Sequence, residues 1–156
     1  MSKSLHRVVA ALREASLTAA PLDMGAETRT AQQAADAAGC TLDQIAKSII
    51  FEDLAGGGVV LFITAGGNQV DAAKAAAVAG VPLGKADAAL IRAQTGFAIG
   101  GVAPVGHLTP PRAFCDPRLM AFDVVFAAAG TPRHIFPIAP ADLVRVSGAR
   151  LADFTA

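Results

Sequence analysis

The stretch Lys47-Ser-Ile-Ile-Phe-Glu-Asp-Leu-Ala-Gly-Gly-Gly-Val-Val-Leu-Phe-Ile-Thr64 decides how the rest of the chain is read. Residues 47–53 have strand composition, Gly56-Gly57-Gly58 supplies a turn, and Val59–Thr64 is a β-branched and aromatic return strand. Two such runs across a glycine turn predict an antiparallel hairpin. Helical patterns flank it on both sides. Upstream, Leu5, Val8, Val9 and Leu12 form one stripe over residues 3–16. Thr30-Ala-Gln-Gln33 reads as a capping box for a helix ending at Gly39, and Thr41-Leu-Asp-Gln44 repeats the box for a single turn. Downstream, Asp71 and Asp87 each cap a helix, ending at Gly80 and Gly96 respectively. A strand over 123–127 is expected to pair with 134–138 across Gly130-Thr-Pro-Arg133. Pro140 opens a short helix, and 149–154 reads as a closing strand. Helices interleave with strands while hairpins persist, so the expected class is α/β (α+β): a mixed, partly antiparallel sheet flanked by helices.

Composition narrows the function classes. Of the 156 residues, 53% are hydrophobic and 17% charged, which suits one compact domain over 1–156 and excludes a disordered chain. Thirteen basic residues offset thirteen acidic ones, unlike a non-specific DNA coater, so no DNA partner is expected. Trp and Tyr are absent, which removes the usual stacking platform of a general RNA binder. Any RNA contact must then use local cations, such as Lys74, Arg112 and Arg133. Cys40 and Cys115 are far apart and fit two reduced thiols in a cytoplasmic protein. Arg7, Arg13 and Glu14 interrupt any apolar leader. The uncharged stretch 93–111 is long enough for a bilayer, but its glycines and prolines argue against a membrane helix. A soluble chain with no membrane partner is expected.

No GxSxG elbow, HExxH helix or GxxxxGK[ST] loop occurs, and His6, His107 and His134 lack metal-ligand spacing. Neither a nucleophile triad nor a metal or cofactor is expected. Two features remain. Lys47 begins an apolar strand and shares a face with Ile49 and Phe51, where an ammonium suits one phosphate at a pocket rim. On pattern alone, a lysine snorkelling past apolar neighbours is the stronger reading. The second is Gly96-Phe-Ala-Ile-Gly-Gly-Val-Ala-Pro-Val-Gly-His107. Its paired glycines allow close approach of backbone amides to a ligand or oxyanion, and serve equally as turns.

These residues carry a resemblance. Thr-Ala-x-x-Ala-Ala at 30–35, Gln-Ile-Ala-Lys-Ser at 44–48, the run from Thr95 to Gly106 and Ala-Gly-Thr-Pro-Arg at 129–133 resemble the YbaK/ProX family of aminoacyl-tRNA deacylases. That family also occurs as an editing insertion in bacterial prolyl-tRNA synthetases. The resemblance implies that Lys47 is the family's required lysine, near the terminal adenosine, and that Gly100 and Gly101 lie beside the aminoacyl ester. It implies water attack assisted by the substrate, with the acceptor end of an aminoacylated tRNA as partner and a synthetase as a further one. The expected pocket is apolar, built from Phe51, Phe97, Ile99, Val102 and Ala103, with Pro104 and Gly106 shaping the loop. His134, Ser48 and Thr64 are its polar candidates. Ala103 and Gly130-Thr-Pro-Arg-His134 depart from the cysteine-removing branch, which leaves alanine, serine, threonine or a small non-protein amino acid open; the apolar pocket favours alanine or a residue of similar size, removed from tRNA for proline. A non-catalytic adaptor on a synthetase or tRNA, and a domain binding free amino acids or nucleotides, are the alternatives.

Overall fold

A computed structural model describes residues 2–156. The hairpin lies at its centre. Strand β2 (Ile45–Asp53) and strand β3 (Val59–Ala65) pair antiparallel, from Ala46 opposite Ala65 to Glu52 opposite Val59. Every residue of β3 is buried, because helices or loops cover both faces of the sheet there. Leu61, Ile63 and Ala65 face one core, while Val60 and Phe62 face the other.

The first core receives Leu5, Val8, Val9 and Leu12 from helix α1 (Lys3–Glu14), the stripe seen in the sequence. The second lies under helix α3 (Ala72–Ala79), where Phe62 stacks with Phe114 at 5.4 Å and meets Phe154 edge-on at 4.9 Å. Local signals fix the helix starts. Asp71 accepts from the amides of Ala73 and Lys74, and Asp87 accepts from Leu90 at the start of helix α4 (Ala88–Thr95). Thr30 caps helix α2 (Ala31–Ala38) by accepting from Gln33 N, but the Gln33 side chain takes the amide of Arg29, one residue outside the expected box. The box at Thr41 closes on a single 3₁₀ turn, with Thr41 N donating to Gln44 Oε1.

Among the described residues the sheet has eight strands. Strand β1 (Leu22–Asp23) pairs with β7 (His134–Ile138), which forms a hairpin with β6 (Val125–Thr131); β6 runs parallel to β2. On the other side, β3 runs parallel to β5 (Arg112–Cys115), and β5 to β8 (Arg150–Leu151). Short β4 (Leu83–Lys85) pairs antiparallel with Phe51–Asp53. Helix α5 (Pro140–Ser147) precedes β8, with Pro140 in its first turn. The mixed sheet is the expected one, with changes of detail. The strand expected over 123–127 is shifted to 125–131. Residues 112–115, where no element was expected, are a strand held by its neighbour β3 rather than by its own pattern. The closing strand shrinks to two residues because Phe154 turns into the second core. Among the described residues, no helix is long and apolar enough to cross a membrane.

One consequence of this topology positions the site. β3 occupies one edge of β2 along nearly its whole length. The other edge is shared: β6 holds only Ile45 and Ala46, and β4 holds only Phe51–Asp53. Between them, Lys47–Ile50 have no strand partner on that edge among the described residues, and the sheet opens there.

Candidate functional site

A cavity of about 400 Å³ fills the opening. Its walls are the free edge of β2, the turn after α4, and the β6–β7 hairpin. Thr28–Thr30, ahead of α2, and Ala31 at its start form the rim. The rim is tied down by main-chain bonds: Met24 N donates to the Arg133 carbonyl, and Thr28 N to the Pro132 carbonyl.

Lys47 lines the cavity half-buried and forms no ion pair among the described residues. Burial lowers its pKa, opposed by the charges of Asp116 and Asp43. An amine in that state favours an anionic partner that would restore what solvent supplied. Gly100, Ile99 and Val102 line the facing wall. Gly100 has φ +90°, and its amide has no hydrogen-bond partner among the described residues, so an N–H is left for a ligand. Ile99 is 60% exposed at the mouth.

His134 also lines the cavity. Its Nδ1 meets Thr131 Oγ1 at 2.7 Å and its Nε2 lies 3.8 Å from Asp23 Oδ2, so contacts on both ring nitrogens set its orientation. Asp23 is held as a carboxylate below its usual range by the Arg133 side chain and the Gly25 amide. Ser48 adds a buried hydroxyl with no hydrogen-bond partner among the described residues.

Other expected site residues lie elsewhere. Gly101 does not line the cavity: its amide donates to the Ala98 carbonyl at 3.0 Å, and its missing side chain makes room for Thr131 and Pro132. Phe97 is fully buried, edge-on to His107 at 5.3 Å and beneath the Arg7 guanidinium. Ala103 is fully buried, and its carbonyl meets His107 Nε2. Pro104 and Gly106 do not line the cavity: Pro104 is buried, and Gly106 lies against the Arg7 main chain. Phe51 packs edge-on to Phe62 in the second core, 5.6 Å away. Thr64 is buried and bonds its own strand at the Phe62 carbonyl. Of the expected apolar wall, Ile99 and Val102 do line the cavity, joined by Ile50, Ile91 and Phe126, which were not expected there. Period-two alternation places Phe51 on one face of β2 but cannot tell which side of the sheet opens.

The cations singled out from the sequence are already engaged. Lys74 pairs with Asp153, Arg112 donates to the Ala79 carbonyl, and Arg133 donates to Asp23 at 2.7 Å. Arg29, not singled out, lines the rim without an ion pair among the described residues. Its place just before the Thr30 cap was the available signal. No group of three His, Cys, Asp or Glu side chains among the described residues is arranged to hold a metal. The assembled groups can receive a small apolar moiety on the floor, an anion at Lys47, and a carbonyl oxygen at the Gly100 amide.

Residues 25–146 match the family model for the aminoacyl-tRNA editing domain. The chain is 33% identical over 118 residues to the uncharacterized protein YwhH of Bacillus subtilis (strain 168), covering 76% of this chain and 74% of that one. Among solved structures, it is similar to a candidate trans-editing enzyme for prolyl tRNA synthetase. The TM-score is 0.93 and the identity 41%, over 100% of this chain and 99% of that one. A structure from work on computational grafting of epitopes onto scaffold proteins also matches at TM-score 0.93, with 39% identity over 100% and 99% of the two chains.

Proposed function

Because the chain belongs to the aminoacyl-tRNA editing domain family, we propose that it is a deacylase acting in trans on a mischarged tRNA. The whole chain, residues 1–156, acts as one cytoplasmic domain in this reading. The observation that carries it is the meeting of Lys47, Gly100 and His134 around one small, largely apolar cavity at the open edge of β2.

The chemistry asks little of the protein. An aminoacyl ester is already activated, and the neighbouring ribose hydroxyl can orient or deprotonate a water. Lys47 and Arg29 hold backbone phosphates of the acceptor end. The Gly100 amide faces the carbonyl oxygen as charge develops on it. With ester and water held in place, positioning supplies much of the rate, and no side-chain nucleophile is needed.

The substrate is a small amino acid, alanine or one of similar size, on tRNA for proline. Likeness to a candidate trans-editing enzyme for prolyl tRNA synthetase supports the tRNA. The floor of Ile50, Ile91 and Val102 supports the side chain. An apolar floor gains only about 1–3 kcal/mol per methylene, so it cannot reject smaller residues by affinity, whereas it excludes a larger ring by clash.

The test is a panel of tRNA for proline charged with alanine, serine, cysteine or proline, together with mischarged tRNA for alanine and for threonine, followed for amino-acid release. Fast release of alanine with the prolyl ester spared is expected. Release of serine or threonine with alanine untouched overturns the substrate, and no release from any member overturns the deacylase in favour of an adaptor.

A further inference from the structure

The turn that carries Gly100 belongs to an eleven-residue loop, 96–106, which has no helix or strand of its own. A loop of that composition, with four glycines, would not by itself hold one amide still. Its two ends are instead joined by one side chain from a distant part of the chain. Arg7, on α1, donates from Nη2 to the Gly96 carbonyl at 2.8 Å and from Nε to the Gly106 carbonyl at 3.1 Å. Its guanidinium also lies 4.9 Å from the centre of the Phe97 ring.

Both anchor points are shaped for this. A Cβ on Gly96 would run into Arg7 Nη2, and a Cβ on Gly106 would come within 3.0 Å of the Arg7 carbonyl. The interior of the loop is braced from the same side. His107 meets the Ala103 carbonyl through Nε2 and lies edge-on to Phe97, the ring that Arg7 covers. Gly101 seats the far side of the loop on the Thr131–Pro132 turn. The chain from Gly96 to Gly106 therefore leaves and returns at one guanidinium, and Gly100 lies between these supports.

We infer that Arg7 is a positioning residue for the deacylation: it clasps both ends of the 96–106 loop and thereby fixes where the Gly100 amide faces the cleft. This rests on the deacylase reading above. A planar guanidinium has donors in a fixed fork and reaches two carbonyls at once, whereas a lysine ammonium on a flexible stem replaces one of them. The role is mechanical, since Arg7 is not among the residues lining the cavity. Loss of the clasp leaves Lys47, His134, Ile50 and Ile91 in place and frees only the loop. Turnover suffers, and capture of the tRNA does not.

The experiment compares wild type with Arg7→Gln, Arg7→Lys and a control, Arg145→Gln, which removes another guanidinium bonded to a main-chain carbonyl, that of Ala15. Single-turnover deacylation is measured across enzyme concentrations, and amide hydrogen exchange is followed along the chain. Arg7→Gln is expected to lower the rate at saturation on the order of tenfold or more, with half-saturation within about twofold of wild type. Arg7→Lys is expected to recover part of the rate. Exchange should speed up within 96–106 while α1 and β3 stay protected, and Arg145→Gln should match wild type. A weakened half-saturation with an unchanged saturating rate overturns the inference, because Arg7 then contacts the tRNA. Faster exchange throughout the core also overturns it, because Arg7 then only holds the fold together. An active wild type with an unaffected Arg7→Gln rejects the clasp alone, whereas an inactive wild type rejects the deacylase reading itself.

Discussion

Gly101→Ala adds one methyl group where the loop presses on the main chain of the β6–β7 turn. The new Cβ would lie 2.7 Å from the Thr131 carbonyl carbon, 2.8 Å from its Cα and 3.0 Å from Pro132 N. Carbon atoms settle at about 3.5–4.0 Å, so the two segments must part by roughly 0.8 Å. All three neighbours are main-chain atoms, so no rotamer change relieves the contact. Overpacking of this kind costs about 1–3 kcal/mol, which at roughly 2–4 °C per kcal/mol for a chain of this size lowers Tm by about 2–12 °C. The displacement also moves the residue that holds His134, since Thr131 Oγ1 meets its Nδ1. A shift approaching 1 Å beside a reacting centre can lower kcat/KM by about 100-fold.

Gly100→Ala is the companion variant. Its Cβ would meet nothing closer than Pro132 at 3.9 Å, but φ is +90° there, and a side chain in that region costs about 1–2 kcal/mol. Differential scanning fluorimetry with deacylation of alanyl-tRNA for proline reads both quantities. A Gly101→Ala protein that loses activity at unchanged Tm would refute the reasoning, because the methyl would then be meeting substrate and not the hairpin turn.

Further outcomes are expected. Lys47→Ala should stay folded and lose about 1.5–3 kcal/mol of transition-state binding, roughly a 10- to 150-fold fall in kcat/KM; near-normal hydrolysis by the folded variant rejects the phosphate contact. Burial lowers the pKa of His107, opposed by its bond to the Ala103 carbonyl and helped to a smaller extent by the Arg7 charge. The neutral ring therefore contributes stability that is full above its unfolded value of 6.5 and is lost as the pH falls through that value towards the lower folded-state pKa. Wild type should lose more Tm between pH 7.5 and pH 5 than His107→Gln, and equal losses would exclude this source. Burial, and then the Asp116 charge, push the Cys115 thiol up to about 12, so a thiol reagent at pH 8 should leave it unmodified until the protein is denatured. Cys40→Ala and Cys115→Ala should both keep deacylating, as should wild type treated with a chelator, and loss in any of these arms contradicts the substrate-assisted reaction.

Much of the fold was legible in the chain because its signals are local. The β2–β3 hairpin follows from two β-rich runs across three glycines, and the starts of α2, α3 and α4 follow from Thr30, Asp71 and Asp87 accepting from amides two or three residues on. Lys47 and the glycine loop stood out as a pair only through their family likeness, since by pattern alone the lysine reads as snorkelling and the glycines equally as turns. What the local pattern could not specify is which surfaces the elements bury. Strand β5 exists because β3 offers it an edge, and Arg112–Cys115 is too short to declare itself. Phe51, Phe97 and Ala103 read as pocket wall from their neighbours in sequence, but the packing sends each into a core, because an apolar side chain suits either place equally well. The cavity itself comes from β6 and β4 pairing with opposite ends of one edge of β2. The clasp on the loop joins residues 89 and 99 positions apart. Contacts at such separations depend on how the chain closes on itself, so only the tertiary structure could decide them.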